Sequence, residues 1–518
     1  MSGFTSLGKR SSLDGSGLGG GGNANAIGPF GTALVSESQP TSQAAFIYSV
    51  NNTQWVTSSV GAAAQVTSNF GIMSCSSGTS ISGSSSVRLI RSLRYRPGQG
   101  SICRLTSNFD TGKNDTLQLA GMGNEESGYY FAMSGSSFGI LHRSFSSREI
   151  RQFTITSPPA GAATLVVTLG GNAINVAVNG GGSTNQTSYQ LSQADYSQVG
   201  PGWSAESIDG IVYFISKLPG PFAGTFSITN GGVSIATAAI VQTGVLPTET
   251  FVSQSSWNID TMDGNGPSRY VLNPYKGNVY GVGCQYLGFG NSFFSIENPE
   301  TGLLTACHMI KRAGNFDTTN VRSPHMTARW EAINSGSAAS NVTIKGASAG
   351  IFTEGVITRN IGPAFAYTVD RYGASLDIDV NLVPVLTLRA NRVYRSQFNY
   401  GQLDLFNIAV GSDTGSAAAT TLLRVYVYKN AILGGPVNFQ HIDSTRSISS
   451  IDIAATSVSS GVNTQLIKSF IVAANDSSIL NVQTENFFLA GGETLTIAAQ
   501  TNKLTTEATF SISWFEDQ

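Results

Sequence analysis

The sequence predicts an all-β protein of several β-sandwich or jelly-roll domains, with an inserted small β-sandwich and an extended Gly-rich N-terminal arm. Three observations predict it. Only 12% of the 518 residues are charged, against about 25% in an average soluble domain; Gly (59 residues), Ser, Thr, Asn and Ala take their place. Aromatic residues reach 9%, which excludes a disordered low-complexity chain, since such chains are depleted in aromatics. Short period-two runs recur along the chain, and no amphipathic helix longer than about three turns stands between them. The length suggests roughly three domains, and a 41% hydrophobic content is enough to fill their cores.

Residues 1–43 contain "GLGGGGNANAIGPFG" and read as a flexible Gly/Ser-rich arm. A first sandwich is expected from 44–152 together with 246–354. Its strands include "AAFIYSVNNTQWV", "SVRLIRSLRYR" and "SGYYFAMSGSSFGILHR". In the last of these, Tyr129, Phe131 and Met133 share one face by period-two alternation, and "SGSS" is the turn between two strands. "REIRQFTIT" is a further strand.

Residues 153–245 break the pattern and read as an inserted β domain. "ATLVVTLGGNAINVAVNGGG" is a hairpin on a Gly-Gly-Asn turn, and "QLSQADYSQVGPGWSAES" holds one short helix. Long strands return after 246, with "ENPETG" turning the chain between two of them. Residues 355–518 form a last, jelly-roll-like domain whose two closing strands end beside Trp514.

Several function classes fall away. The net charge of -2 argues against a general nucleic-acid or membrane-surface binder. The N-terminus lacks the apolar stretch of a signal peptide, and no window reaches the roughly 18 apolar residues of a membrane-spanning helix. Cys75, Cys103, Cys284 and Cys307 show no C-x-x-C spacing and read as buried free thiols. His142, His308, His325 and His441 form no ligand pair; Cys307 and His308 are neighbours on opposite faces of a strand. Glu125–Glu126 and Glu516–Asp517 are adjacent pairs that strand geometry points apart, so neither makes a glycosidase pair. No hydrolase, Walker or dinucleotide motif is present. The expectation is no enzyme.

The pieces "LRYRPGQG", "SGYYFAMSGSSFGILHR", "LPTETFVSQSSWNIDTMDGNGPS", "GNVYGVGCQYLGFGNSFFSIENPETG" and "LAGGETLTIAAQ…SISWFEDQ" resemble virion-associated structural proteins of large DNA viruses of algae and protists, and of marine phages. The resemblance spans about residues 88–518. It implies a lectin-like sandwich with a small insert, then a C-terminal jelly-roll-like domain. It also implies a virion location, self-association and contact with other virion proteins. It brings no catalytic residues. A trimer would suit a jelly-roll fibre head, but the sequence carries no three-fold signal.

Three candidate sites follow. "RSLRYRPGQG" places Arg91, Arg94 and Arg96 on a strand that ends in a type II turn, with Pro97 at its second and Gly98 at its third position. With only Tyr95 interleaved, phosphate binding is the lesser reading; the arginine forks are expected to lock the sandwich, against itself or a neighbour. "WNIDTMDGNG" offers Asp260, Asp263 and Asn265 as oxygen ligands that would admit calcium, against the plainer reading of a polar turn closed by its own side chains. Trp257, Tyr270 and Tyr275 are the aromatics that would stack on a host surface glycan. The favoured function is a virion structural protein, as a capsid-associated, fibre or spike subunit; the alternative is a host-glycan attachment module.

Overall fold

The computed structural model describes residues 38–517, apart from residues 94, 181, 201, 230–233, 236–237, 337–339, 356–361, 372–377, 414–420, 483–486 and 503–505. The chain is all-β: antiparallel strands with one α-helix, Thr184–Ser192, among the described residues. That helix starts earlier than the segment assigned to it. Ser183 caps it by accepting the amide of Gln186. The chain divides into two compact units. Among the described residues, the first holds those within 38–124, 128–143 and 249–355, and the second those within 125–127, 144–248 and 362–517.

In the first unit two sheets face each other. Ser38–Ala45, Ser348–Glu354, Ser101–Ser107, Asn278–Cys284, Ser292–Asn298 and Leu303–Ile310 lie side by side in one. The other runs Thr248–Ser253, Ser137–Ser144, Gly128–Ser134, Thr116–Gly123, Thr327–Asn334, Ser84–Leu89 and Trp55–Val60. The core between them follows the alternation of the strands: Tyr129, Phe131 and Met133 point into it, while Tyr130 and Ala132 enter a separate buried cluster on the opposite face. Phe131 meets Tyr280 at 4.6 Å and Phe294 at 5.4 Å from the facing sheet. Phe46 stacks on Trp55 at 4.1 Å, and Trp330 closes that corner, donating its indole N–H to the Thr106 carbonyl at 3.1 Å. Each such ring contributes roughly 1.5–3 kcal/mol by leaving water.

A third, small sheet in this unit runs Thr343–Gly346, Ile72–Ser76, Gln65–Asn69. Residues 38–43, read from sequence as the end of the arm, are instead a strand paired along Ser348–Glu354. Residues 1–37 lie outside the described residues.

In the second unit, Arg148–Ser157 pairs with Ile211–Pro219, which pairs with Trp203–Ile208. The hairpin Ala163–Leu169/Asn172–Val178 turns on Gly170 and Gly171, whose φ of +61° and +85° fit a primed two-residue turn. Phe153, Tyr196, Trp203 and Phe214 form the core of this region. Residues 364–517 build two further facing sheets over Leu388, Leu405, Val425, Ile497, Phe510 and Trp514. The closing strands Thr494–Thr501 and Glu507–Asp517 belong to opposite sheets, so the chain crosses the sandwich between them.

Candidate functional site

The described residues of the run, 91–93 and 95–100, are not a strand. The strand ends at Leu89, and the chain beyond it is held by irregular bonds. Leu93 donates its amide to Met326, and the Thr327 hydroxyl donates to the carbonyls of Leu89 and Arg91. The turn is as its residues dictate: the Gln99 amide reaches the Arg96 carbonyl at 3.0 Å across Pro97 and Gly98, and Gly98 has φ +92°. Tyr95, the interleaved aromatic, packs edge-on against Tyr286 at 5.2 Å and accepts the Leu287 amide. Arg91 and Arg96 are half-buried; Arg94 lies outside the described residues.

The loop at 257–266 is closed by its own side chains, which accept backbone amides. Asp260 is buried, with one oxygen accepting the Met262 amide and the other the Ser268 amide, both at 2.8 Å. Asp263 accepts the amide of Asn265 and the hydroxyl of Thr261, and these bonds hold its carboxyl below the usual range. Among the described residues no group of three or more His, Cys, Asp or Glu side chains is placed to hold a metal ion.

The aromatics assigned to a glycan do not form one platform. Trp257 is a core side chain, 5% exposed, set edge-on against Phe131 and Phe138. Tyr270 is half-buried and donates its hydroxyl to Asn278; Tyr275 stands out in solvent. The four cysteines are free and buried, and burial pushes the Cys75 thiol up to about 12.

Two places stand out instead. One is a cleft of about 390 Å³ in the second unit, lined by Tyr189, Glu206, Arg389, Arg392, Asn463 and Glu493 among others. Glu206 accepts the amides of Arg392 and Val393 and faces Arg389 at 3.5 Å. Glu493 takes Lys429 at 2.7 Å and the Ala490 amide. Both carboxylates are engaged in holding the walls, which suits binding better than acid–base work.

The other lies in the run of residues 38–87. Not one of these 50 residues is Asp, Glu, Lys, Arg or His. They carry exposed apolar side chains at two neighbouring tips. Tyr48 is 96% exposed and Phe70 95%, with Ile47 and Ile72 beside them. The segments that carry them are tied to neighbouring residues: Gly346 pairs with Met73, and Ala347 accepts the amide of Phe46. Phe70 and Gly71 form the two-residue turn of a hairpin, with φ of +48° and +78°. A bulky side chain in this left-handed region costs roughly 1–2 kcal/mol, and Phe70 has no burial to offset it. The charge-free run was legible in the sequence as an unbroken gap among charges. The strain at Phe70 was not.

No family model matches the sequence, and no curated protein matches it. Among solved structures the chain is similar to the metal-free carbohydrate recognition domain of Emp46p, at 11% identity over 62% of this chain and 97% of that chain, with a TM-score of 0.23. It is similar to the VIP36 exoplasmic/lumenal domain bound to Ca2+ and Man3GlcNAc, at 9% identity over 63% and 93%, TM-score 0.24. A legume lectin-like domain from Entamoeba histolytica gives 10% identity over 59% and 96%, TM-score 0.18. TM-scores this low carry no argument, and the all-β class rests on the antiparallel sheets of the chain itself.

Proposed function

We propose that this chain is a non-enzymatic structural subunit that assembles with copies of itself, of the virion type its sequence resembles. One observation carries the reading: residues 38–87 form a run without a charged side chain that leaves Tyr48 and Phe70 almost wholly exposed. Interface cores are depleted of charge and enriched in aromatic side chains. In a two-fold assembly the residues on the axis meet their own copies, so a run without charge there brings no like charges together. The native mass of the full-length chain by light scattering tests this. A mass of at least twice that of one chain across the micromolar range is expected; a single-chain mass throughout would overturn it.

A second reading, glycan binding, moves from the loop aromatics to the cleft of the second unit. What supports it is the lining: two arginines against two glutamates, with Tyr189 and Asn463, give hydrogen-bonding groups of no net charge. Titration calorimetry with a panel of neutral oligosaccharides tests it. Binding that Tyr189→Ala abolishes is expected, and no heat from any of them would remove the reading.

A further inference from the structure

The strand Gln65–Asn69 is an edge. It pairs with Ile72–Ser76 on one side, and among the described residues no strand pairs with the other. Proteins commonly blunt such edges with Lys, Pro or a bulge, because an open edge recruits another strand. Here the sequence is QVTSN, its register with Ile72–Ser76 is unbroken, and neither Lys nor Pro occurs in it.

The phase of the hairpin fixes which groups face outward. Asn69 and Ile72 close a two-residue turn and form a hydrogen-bonded pair, so Thr67 and Gln65 also direct their amides to the paired strand. Val66 and Ser68 direct theirs to the open side. Their side chains are half-buried, whereas those of Gln65, Thr67 and Asn69 are exposed.

We infer that this edge pairs antiparallel with the same edge of a second copy, about a two-fold axis at Thr67. The inference rests on the assembly reading and names its surface. In this register Val66 bonds to Ser68 of the second copy and Ser68 to its Val66, so all the outward amides of the strand are used. Thr67 faces its own copy across the axis. Phe70 falls opposite Ala64 of the second copy, beside Ala62 and Ala63, which are exposed. The strained turn thereby sets an exposed aromatic on an alanine-rich loop. The edge itself calls for an extended strand as its occupant, and the absence of charge makes an identical one acceptable.

The test is a charge exchange at the axis. Thr67→Lys and Thr67→Glu each place like charges against themselves, and each is expected to halve the native mass. An equimolar mixture of the two is expected to restore it. Phe70→Asn, which suits the left-handed turn, is expected to weaken association at least tenfold while the melting temperature of the dissociated chain holds or rises. Circular dichroism confirms that each variant is folded. If wild type has the mass of one chain, the assembly reading and this surface both fall. If wild type is an oligomer and the folded Thr67 and Phe70 variants keep its mass, the reading stands and this surface is wrong. A loss of melting temperature in dissociated Phe70→Asn would assign Phe70 to the fold instead and overturn its role in association.

Discussion

Arg143 and Glu331 meet at 3.1 Å inside the first unit, each with a side chain only 6% exposed. Arg143 also takes Glu249 at 2.8 Å, and Glu331 takes Arg329 at 3.3 Å. Burial pushes the Glu331 carboxyl up, but Arg329 and Arg143 together hold it below the usual carboxylate range. The group therefore stays ionised in the fold, and its pairing is a condition of burial. Removing one member of such a network strands the others.

Glu331→Gln should lower the unfolding free energy by about 3–5 kcal/mol, read by urea titration at neutral pH. Because the folded pKa is depressed, the stabilisation is complete above the unfolded carboxylate value of about 4.3 and is lost as pH falls below it. The gap between wild type and Glu331→Gln should narrow in that range. An equal gap at all pH values would mean that the charge of Glu331 does not matter.

His142 gives a second acid-sensitive term. Its ring stacks on Tyr129 at 5.0 Å, and Nε2 sits 3.0 Å from the Asn320 carbonyl, so the neutral ring donates there. Burial lowers its pKa to about 4, whereas the unfolded chain protonates near 6.5. Stability is full above about 6.5 and falls between there and about 4, by on the order of 1.4 kcal/mol per pH unit for one proton. Burial also lowers the pKa of His308 and of His441. His142→Gln should flatten the pH dependence by one proton, measured by unfolding at pH 5 and 7.

The loop at 257–268 should need no metal. Chelator and millimolar calcium are both expected to leave the melting temperature unchanged. Asp260→Ala should remove two charge-assisted bonds to amides, each worth roughly 1.5–3 kcal/mol. A calcium-dependent rise in wild type that Asp260→Ala abolishes would restore the metal reading.

The thiols should be silent. A thiol must ionise and be reached to react, and Cys75, Cys103, Cys284 and Cys307 are buried with burial raising every one of their pKa values. Iodoacetamide should label none of them in native protein and all of them in urea, as counted by intact mass. Rapid native labelling of any one would contradict this packing.

What the sequence revealed followed the range of the interaction. The Gly170–Gly171 and Pro97–Gly98 turns were legible because neighbouring residues determine them. So was the Tyr129, Phe131, Met133 face, which is a matter of alternation. The end of the strand at Leu89 was not legible, since it depends on Met326 and Thr327, more than two hundred residues away. The burial of Trp257 depends on Phe131 and Phe138 in the same way, and a loop tryptophan looks alike whether it faces a sugar or a core. Arg143 and Glu331, 188 positions apart, share no local pattern at all. The charge-free run was in plain view, but the unpaired edge of Gln65–Asn69 among the described residues was not.

Amide hydrogen exchange over residues 64–72 of full-length wild type, compared at high and at high-dilution protein concentration, separates a paired edge from an open one. The amides of Val66 and Ser68 should be protected when concentrated and exchange at least tenfold faster on dilution, while that of Thr67, bonded within the chain, changes little. Concentration-independent exchange at Val66 and Ser68 would mean that this edge does not pair with a second copy.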